Sequence, residues 1–363
     1  SHSIHAYNNS LFTWHHIKPM KSTSLLASFW LGAVVRGAAS FAPTNYHLHH
    51  TTIKQKRQQQ LQTSLYIRGG GDSMSSSSLS SVLGPAADAV GSALVSGTPL
   101  RAVGGMWAVS SLVIVPLTFI RQGYSFSVGY GFSVAAMALT LLSSFDISLS
   151  TLTSSTPAIL TATTVIYGLR LALFLLLREF SVDSKRKQIK SFDKTPRLKR
   201  TPLALSVSLL YAFMCSPALF ALRGAVEAGS VLEKIQLVST SVAAFGMLLE
   251  SVADQHKYEA KRKSKETEDK FVGPSSWSYK LVRHPNYLGE ILFWVGLFGA
   301  GSVSFGKSIV AWLCGSLGLA AILSIMLGSS GRLDTKQQEK YGGQPKYEEW
   351  KDAAKYSVIP FFK

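Results

Sequence analysis

In "RHPNYLGEILFWVGLF", Arg283 to Phe298, an Arg-His pair stands directly before an apolar run that contains a carboxylate. Pro285 suits the first position of a helix, where its missing N–H is not needed. The helix that follows would aim its free N–H groups and positive dipole end into the space held by Arg283 and His284. Such a cluster suits an anion, a phosphate or pyrophosphate foremost. Asn286 and Glu290 lie four residues apart, one above the other on one helix face, with Tyr287 alongside. Gly289 and Gly296 would let a second helix or a ligand come close. An interfacial anchor accounts for Arg, His and Tyr at a bilayer edge. It does not account for Glu290, because a carboxylate a turn and a half inside such a helix marks a functional interior.

Two further stretches raise the same question. In "GMLLESVADQHKYEAKRK", Gly246 to Lys263, Glu250 and Asp254 share a face at i, i+4, and Tyr258 and Lys261 continue it. Two carboxylates near a helix C-terminus oppose its dipole. They need partners: Arg283, a salt bridge to the next helix, or a ligand's hydroxyls and amide. In "YGLRLALFLLLRE", Tyr167 to Glu179, Arg178 can snorkel to an interface. Arg170 sits mid-helix and needs an acidic or phosphate partner, which makes it a further site candidate. The soluble-enzyme motifs are missing. No G-x-G-x-x-G follows a strand, and "RGGGDS", Arg68 to Ser73, lacks the Lys of a P-loop. "GYG", Gly129 to Gly131, reads as a packing seam inside an apolar helix. The two cysteines, Cys215 and Cys314, fall in apolar blocks as packing groups, and no Cys/His cluster suggests a metal.

The elements that must position these residues are membrane helices. Of the 363 residues 16% are charged and 47% hydrophobic, and the apolar residues come in blocks of about 20, enough to cross a bilayer core. The fold class is therefore all-α, a polytopic bundle of about seven spans. They are expected at Leu100–Ile120, Ser127–Phe145, Pro157–Phe180, Pro202–Leu222, Val231–Asp254, Pro285–Gly301 and Ser308–Gly328. Arg121, "SKRKQIKSFDKTPRLKR" (Ser184 to Arg200), "HKYEAKRKSKETEDK" (His256 to Lys270) and the C-terminal tail fall on one face. The positive-inside rule turns that face to cytosol or stroma. The formal net charge of +17 follows from tails and loops, without a nucleic-acid partner.

Upstream, residues 1–19 precede the first methionine, Met20, and read as an extension of the gene. Residues 20–40 have the basic start, short apolar core and small residues of a signal peptide. Residues 41–72, free of acids until Asp72, have the composition of a plastid transit peptide. The junction "AASFAP", Ala38 to Pro43, resembles the bipartite signals of complex plastids, in which the phenylalanine after the cut, here Phe41, is decisive. A plastid membrane is the expected location, with the endoplasmic reticulum membrane as the alternative. Residues 73–98 form a Ser/Gly-rich linker, and 99–363 the membrane domain.

In this order, "YGLRLALFLLLRE", "ESVADQHK" (Glu250 to Lys257), "RHPNYLGE" and "KYGGQPKYEEWKDAAKYSVIPFF" (Lys340 to Phe362) resemble the DUF1295 family, relatives of steroid 5α-reductase. The resemblance covers the chain from about Leu100 onward. It implies NADPH bound by the C-terminal helices without a Rossmann fold. The hydride would go to a carbon–carbon double bond conjugated to a carbonyl, in a lipophilic enone or polyisoprenoid-like substrate. Asp254, Asn286 and Glu290 match the family's cofactor-binding positions; Glu250 stands where the steroid reductases carry asparagine. The candidate cofactor residues are thus Glu250, Asp254, Lys261, Arg283, His284, Asn286, Tyr287 and Glu290, with Arg170 beside them. The reductases' carbonyl-polarising Glu and Tyr have no sequence match here, so the catalytic acid stays unassigned. Isoprenylcysteine carboxyl and phospholipid methyltransferases share R-H-P-x-Y-x-G and would bind S-adenosylmethionine instead. A non-catalytic membrane protein of the same fold is the third reading.

Overall fold

Thr98 and Pro99 show how the first long helix starts: the Thr98 side chain caps the Arg101 N–H at 3.3 Å, and Pro99 takes the first helical position. The computed structural model describes residues 77–263 and 270–360. The expected leader, residues 1–72, lies outside them. The chain divides into Ser1–Ala86, of which only the start of one helix is described, and Ala87–Lys363, to which the rest of the description applies.

In chain order the helices are α1 (Ser77–Ser96), α2 (Pro99–Ile120), α3 (Val128–Ser144), α4 (Thr156–Ser181), α5 (Asp183–Ser191), α6 (Thr201–Arg223), α7 (Val231–Lys263), α8 (Ser278–Leu281), α9 (Pro285–Ser302), α10 (Ile309–Tyr341) and α11 (Pro345–Ala353). Short 3₁₀ turns at Gln122–Phe126 and Arg197–Arg200 link α2 to α3 and lead into α6. No strand occurs among the described residues, and the fold is an all-α integral membrane bundle. A helix lies at each of the seven expected spans. Five are long and apolar enough to cross a bilayer: α2, α4, α6 with its leading turn, α7 and α10. The other two, α3 and α9, are shorter or more polar helices of 17 and 18 residues. Cys215 and Cys314 are buried free thiols, as packing groups should be.

Two helices run further than the apolar pattern predicts. α7 continues past Asp254 to Lys263, and α10 past Gly328 to Tyr341. Their extensions are rich in Lys, Arg, Gln and Glu, strong helix formers that need no apolar environment. The residues expected in loops thus sit on rigid helix ends. The stretch expected as a linker contains α1.

Close helix contact depends on glycine. A Cβ at Gly289 would stand 2.5 Å from the Glu250 nitrogen, and one at Gly246 2.5 Å from the Phe293 nitrogen, so α7 and α9 touch backbone to backbone. The same holds for α3 and α4, where a Cβ at Gly131 would come within 2.6 Å of the Gly168 oxygen. Both seams bring together the helices that carry the candidate residues.

Candidate functional site

Arg170 of α4 reaches across to α7. Its Nη2 lies 2.6 Å from Glu250 Oε1, and its Nη1 donates to Asp254 Oδ2 at 3.0 Å. The i, i+4 carboxylates therefore find the mid-helix arginine, and not Arg283 as the sequence also allowed. The partner is α4 because parallel α4 and α7 put the three groups at one depth, whereas Arg283 stands beyond the start of α9. Glu250 and Asp254 are both buried. Two acids share one guanidinium, and Glu250 Oε2 has no hydrogen-bond donor.

Glu290 of α9 is buried beside this cluster and accepts the Tyr130 hydroxyl of α3 at 2.9 Å. Tyr130 also lies 3.2 Å from the Tyr167 hydroxyl of α4, and its oxygen accepts the Trp294 indole N–H at 2.8 Å. Tyr130 has one proton, directed at the Glu290 carboxylate, so Tyr167 is the donor in the tyrosine pair. The result is a directed chain, Tyr167 to Tyr130 to Glu290. The Tyr167 ring stacks on Phe293 with centroids 3.7 Å apart, which holds the chain's first member in place.

Arg283 and His284 belong to a different assembly. Asp334, on the extension of α10, accepts from Arg283 Nε at 3.1 Å and Nη2 at 2.9 Å, and lies 2.8 Å from His284 Nε2. The Ser357 hydroxyl donates to the same carboxylate at 2.6 Å. Arg283 Nη1 donates to the carbonyls of Ala354 and Lys355, both at 3.0 Å. The backbone N–H groups of Arg283 and His284 donate to Tyr356 and Ser357, each at 2.9 Å. The C-terminal tail is thereby strapped along the chain just before α9. The phosphate contact expected of Arg283 meets a guanidinium already engaged by Asp334 and the strap.

His284 has its ring fully buried. Burial pushes the imidazole below its ordinary value, partly offset by the hydrogen bond to Asp334, with Lys257 and Arg283 lowering it again. The neutral ring gives its Nε2 proton to Asp334 and keeps a lone pair on Nδ1, which is buried without a donor. Tyr287 lies beside it, with ring centroids 5.6 Å apart. Asn286 follows at the head of α9, its Oδ1 likewise buried with no donor. Lys261 stands at the outer end of α7, exposed and facing Arg178 and Lys340.

Arg170, Glu250, Asp254 and Glu290 thus form one buried group, with Asn286 and Tyr287 on the turn of α9 that leads to it. Lys261 lies apart from it at the outer end of α7, and Arg283 and His284 anchor the strap. Sequence reasoning missed Asp334, Tyr130, Tyr167 and Trp294. Asp334 had a signal, an acid in "GRLDTKQQEKY" just past the last apolar block. Tyr130 had a weaker one, a hydroxyl between the two glycines of a seam.

A family described as a protein of unknown function, DUF1295, matches residues 126–354. That is more than half of the chain, and it covers every residue of the buried group, though not Lys355, Tyr356 and Ser357 of the strap. No curated protein and no solved structure matches the chain. The chain belongs to the DUF1295 family.

Proposed function

We propose that this member of the DUF1295 family is an NADPH-dependent reductase in a membrane, acting on the conjugated double bond of a lipophilic enone or polyisoprenoid-like substrate. The observation that supports the reading most is the polar group enclosed in the bundle: Arg170, Glu250 and Asp254 beside Glu290, Tyr130 and Tyr167. Burying so many polar groups among apolar helices is costly, and such groups are kept where they handle a substrate or a proton.

The residues fit the cofactor's chemistry. Glu250 Oε2 and Asn286 Oδ1 are buried acceptors without donors, and a carboxamide and ribose hydroxyls are donors. In this reading Glu250, Asp254, Asn286 and Glu290 hold the polar parts of NADPH, with Arg170 fixing the first two. When bound, the cofactor supplies a hydride to the electron-poor carbon of the double bond. The protein's share is orientation, exclusion of water by the packed helices, and a proton held on the Tyr167–Tyr130–Glu290 chain. The leader's composition supports a plastid membrane as the location, with the endoplasmic reticulum membrane as the alternative.

S-adenosylmethionine is the competing ligand, and binding separates the two. The purified protein should bind NADPH. Losing a hydrogen bond to a charged group usually costs about 1.5–3 kcal/mol, so Glu290→Gln should weaken NADPH roughly ten- to hundredfold. Binding of S-adenosylmethionine alone would replace the reductase reading with the methyltransferase one, and equal NADPH affinity in the variant would take Glu290 out of the cofactor site.

A further inference from the structure

α4 and α7 run side by side in the same direction, and two contacts one turn apart fix their register. Arg170 meets Asp254, an offset of 84 residues, and the Phe174 ring meets that of Tyr258 at the same offset, with centroids 6.3 Å apart. One turn further out, the register brings Arg178 level with the last turns of α7. There the character of the ladder changes. The inner rung is an ion pair and the next an aromatic pair, but the outer rung sets cation beside cation.

Lys257 and Lys261 follow Asp254 at i+3 and i+7, on the same face of α7. Lys257 faces Lys261, Arg178 and Lys185. Lys185, from the first turn of α5, faces Arg178, Lys261 and Lys336. Basic side chains from α4, α5 and α7 therefore gather at this end of the ladder. Among the described residues the acid that acts on Lys257 is Asp254, which is already paired with Arg170. Gln188 accepts one Lys185 proton at 3.1 Å, and Arg178 lies 5.7 Å over the Phe174 ring. Neither contact neutralises charge. Burial and the neighbouring cations hold the Lys185 ammonium down to about 8.

We propose that Arg178, Lys185 and Lys257 form a binding site for a phosphorylated group, a diphosphate or a phosphomonoester. A monovalent carboxylate would neutralise one of the three cations; a phosphate group with two or more charges answers at least two of them and offers several acceptor oxygens to their N–H groups. The site lies at the basic end of the bundle, where such a group can arrive from a soluble dinucleotide or from a lipid headgroup of the adjoining leaflet. The inference does not depend on the reductase reading, because phosphate binding is measured without any turnover.

The probe is inorganic pyrophosphate, titrated onto the full chain in nanodiscs of neutral phosphatidylcholine. It should bind, and its affinity should fall steeply with salt. The Lys185→Gln, Lys257→Gln double variant should lose about tenfold or more in affinity. Its ligand-free melting temperature should hold or rise, since the change removes repulsion. Lys257→Arg, which keeps the charge, should retain binding. Two further arms identify the source. Competition by NADPH, stronger than by NADH, assigns the site to a dinucleotide. Loss of pyrophosphate binding in discs containing phosphatidic acid, with no competition by NADPH, assigns it to a lipid headgroup. Pyrophosphate that fails to bind the wild-type chain, or that binds the double variant equally well, overturns the proposal.

Discussion

Asp334 accepts from three side chains that come from two other parts of the chain: Arg283 and His284 before α9, and Ser357 in the tail. An ionised carboxylate is acceptor-only, which is what three converging donors require. Asparagine is nearly the same size but turns one acceptor into an NH₂ donor. Asp334→Asn would set that group against an Arg283 N–H in either orientation, and in one of them against the His284 Nε2 proton as well. The expected loss is roughly 1.5–3 kcal/mol, the range for a hydrogen bond to a charged group. Trypsin digestion of the detergent-solubilised variant should release the segment after α10 sooner than in wild type. An unchanged digestion pattern together with an unchanged melting temperature would show that the backbone bonds to Tyr356 and Ser357 hold the strap without the carboxylate.

At the scale of elements, the seam between α7 and α9 decides whether the site can form. Glu250 and Glu290 come close only because Gly246 and Gly289 let two backbones touch. Gly289→Ala would push a methyl group against the Glu250 nitrogen, which cannot swing aside as a side chain can. Overpacking of this kind typically costs about 1–3 kcal/mol. Gly104→Ala in α2 is the matched control, since its Cβ would meet nothing within 4 Å. It should be neutral or stabilising by roughly 0.5–1 kcal/mol, the helix preference of alanine. Equal melting temperatures for the two variants would mean that the seam is looser than these distances imply. The seam was legible in the sequence because glycine inside an apolar helix has few other uses. So were Arg170, Glu250, Asp254 and Glu290, because a charge among apolar residues demands an explanation wherever it sits. What could not be read was who meets whom. Asp334 pairs with Arg283 across 51 residues, through the extension of α10 beyond its apolar block, and periodicity in an apolar pattern is silent about such extensions. Tyr130 passed for part of a seam because its partners, Glu290 and Trp294, lie 160 and 164 residues away.

For the whole molecule, the basic loops and the helix directions tell one story. α2, α4, α7 and α10 all end on the side where Arg121 pairs with Glu179, Arg200 with Asp193, and Arg283 with Asp334. α9 begins there, and the strap closes over its start. At the opposite end Arg223, closing α6, donates to the carbonyls of Ala93, Leu94 and Gly97 instead of facing other cations. Lys and Arg near helix ends resist transfer across a bilayer, so the face rich in them stays on the side of synthesis or import. Both native cysteines are buried in helices, which leaves the surface clear for single-cysteine reporters. Lys190→Cys and Lys346→Cys, at exposed positions of the basic face, should react with a membrane-impermeant maleimide from the same side of a sealed vesicle. Ala228→Cys, exposed between α6 and α7, should react only from the other. Labelling of Ala228→Cys together with the first two would mean that α6 turns back without crossing. The ion pairs at the basic end would then have to form by some other path of the chain, and the site, which takes residues from α3, α4, α7 and α9, would lose the scaffold that brings them together.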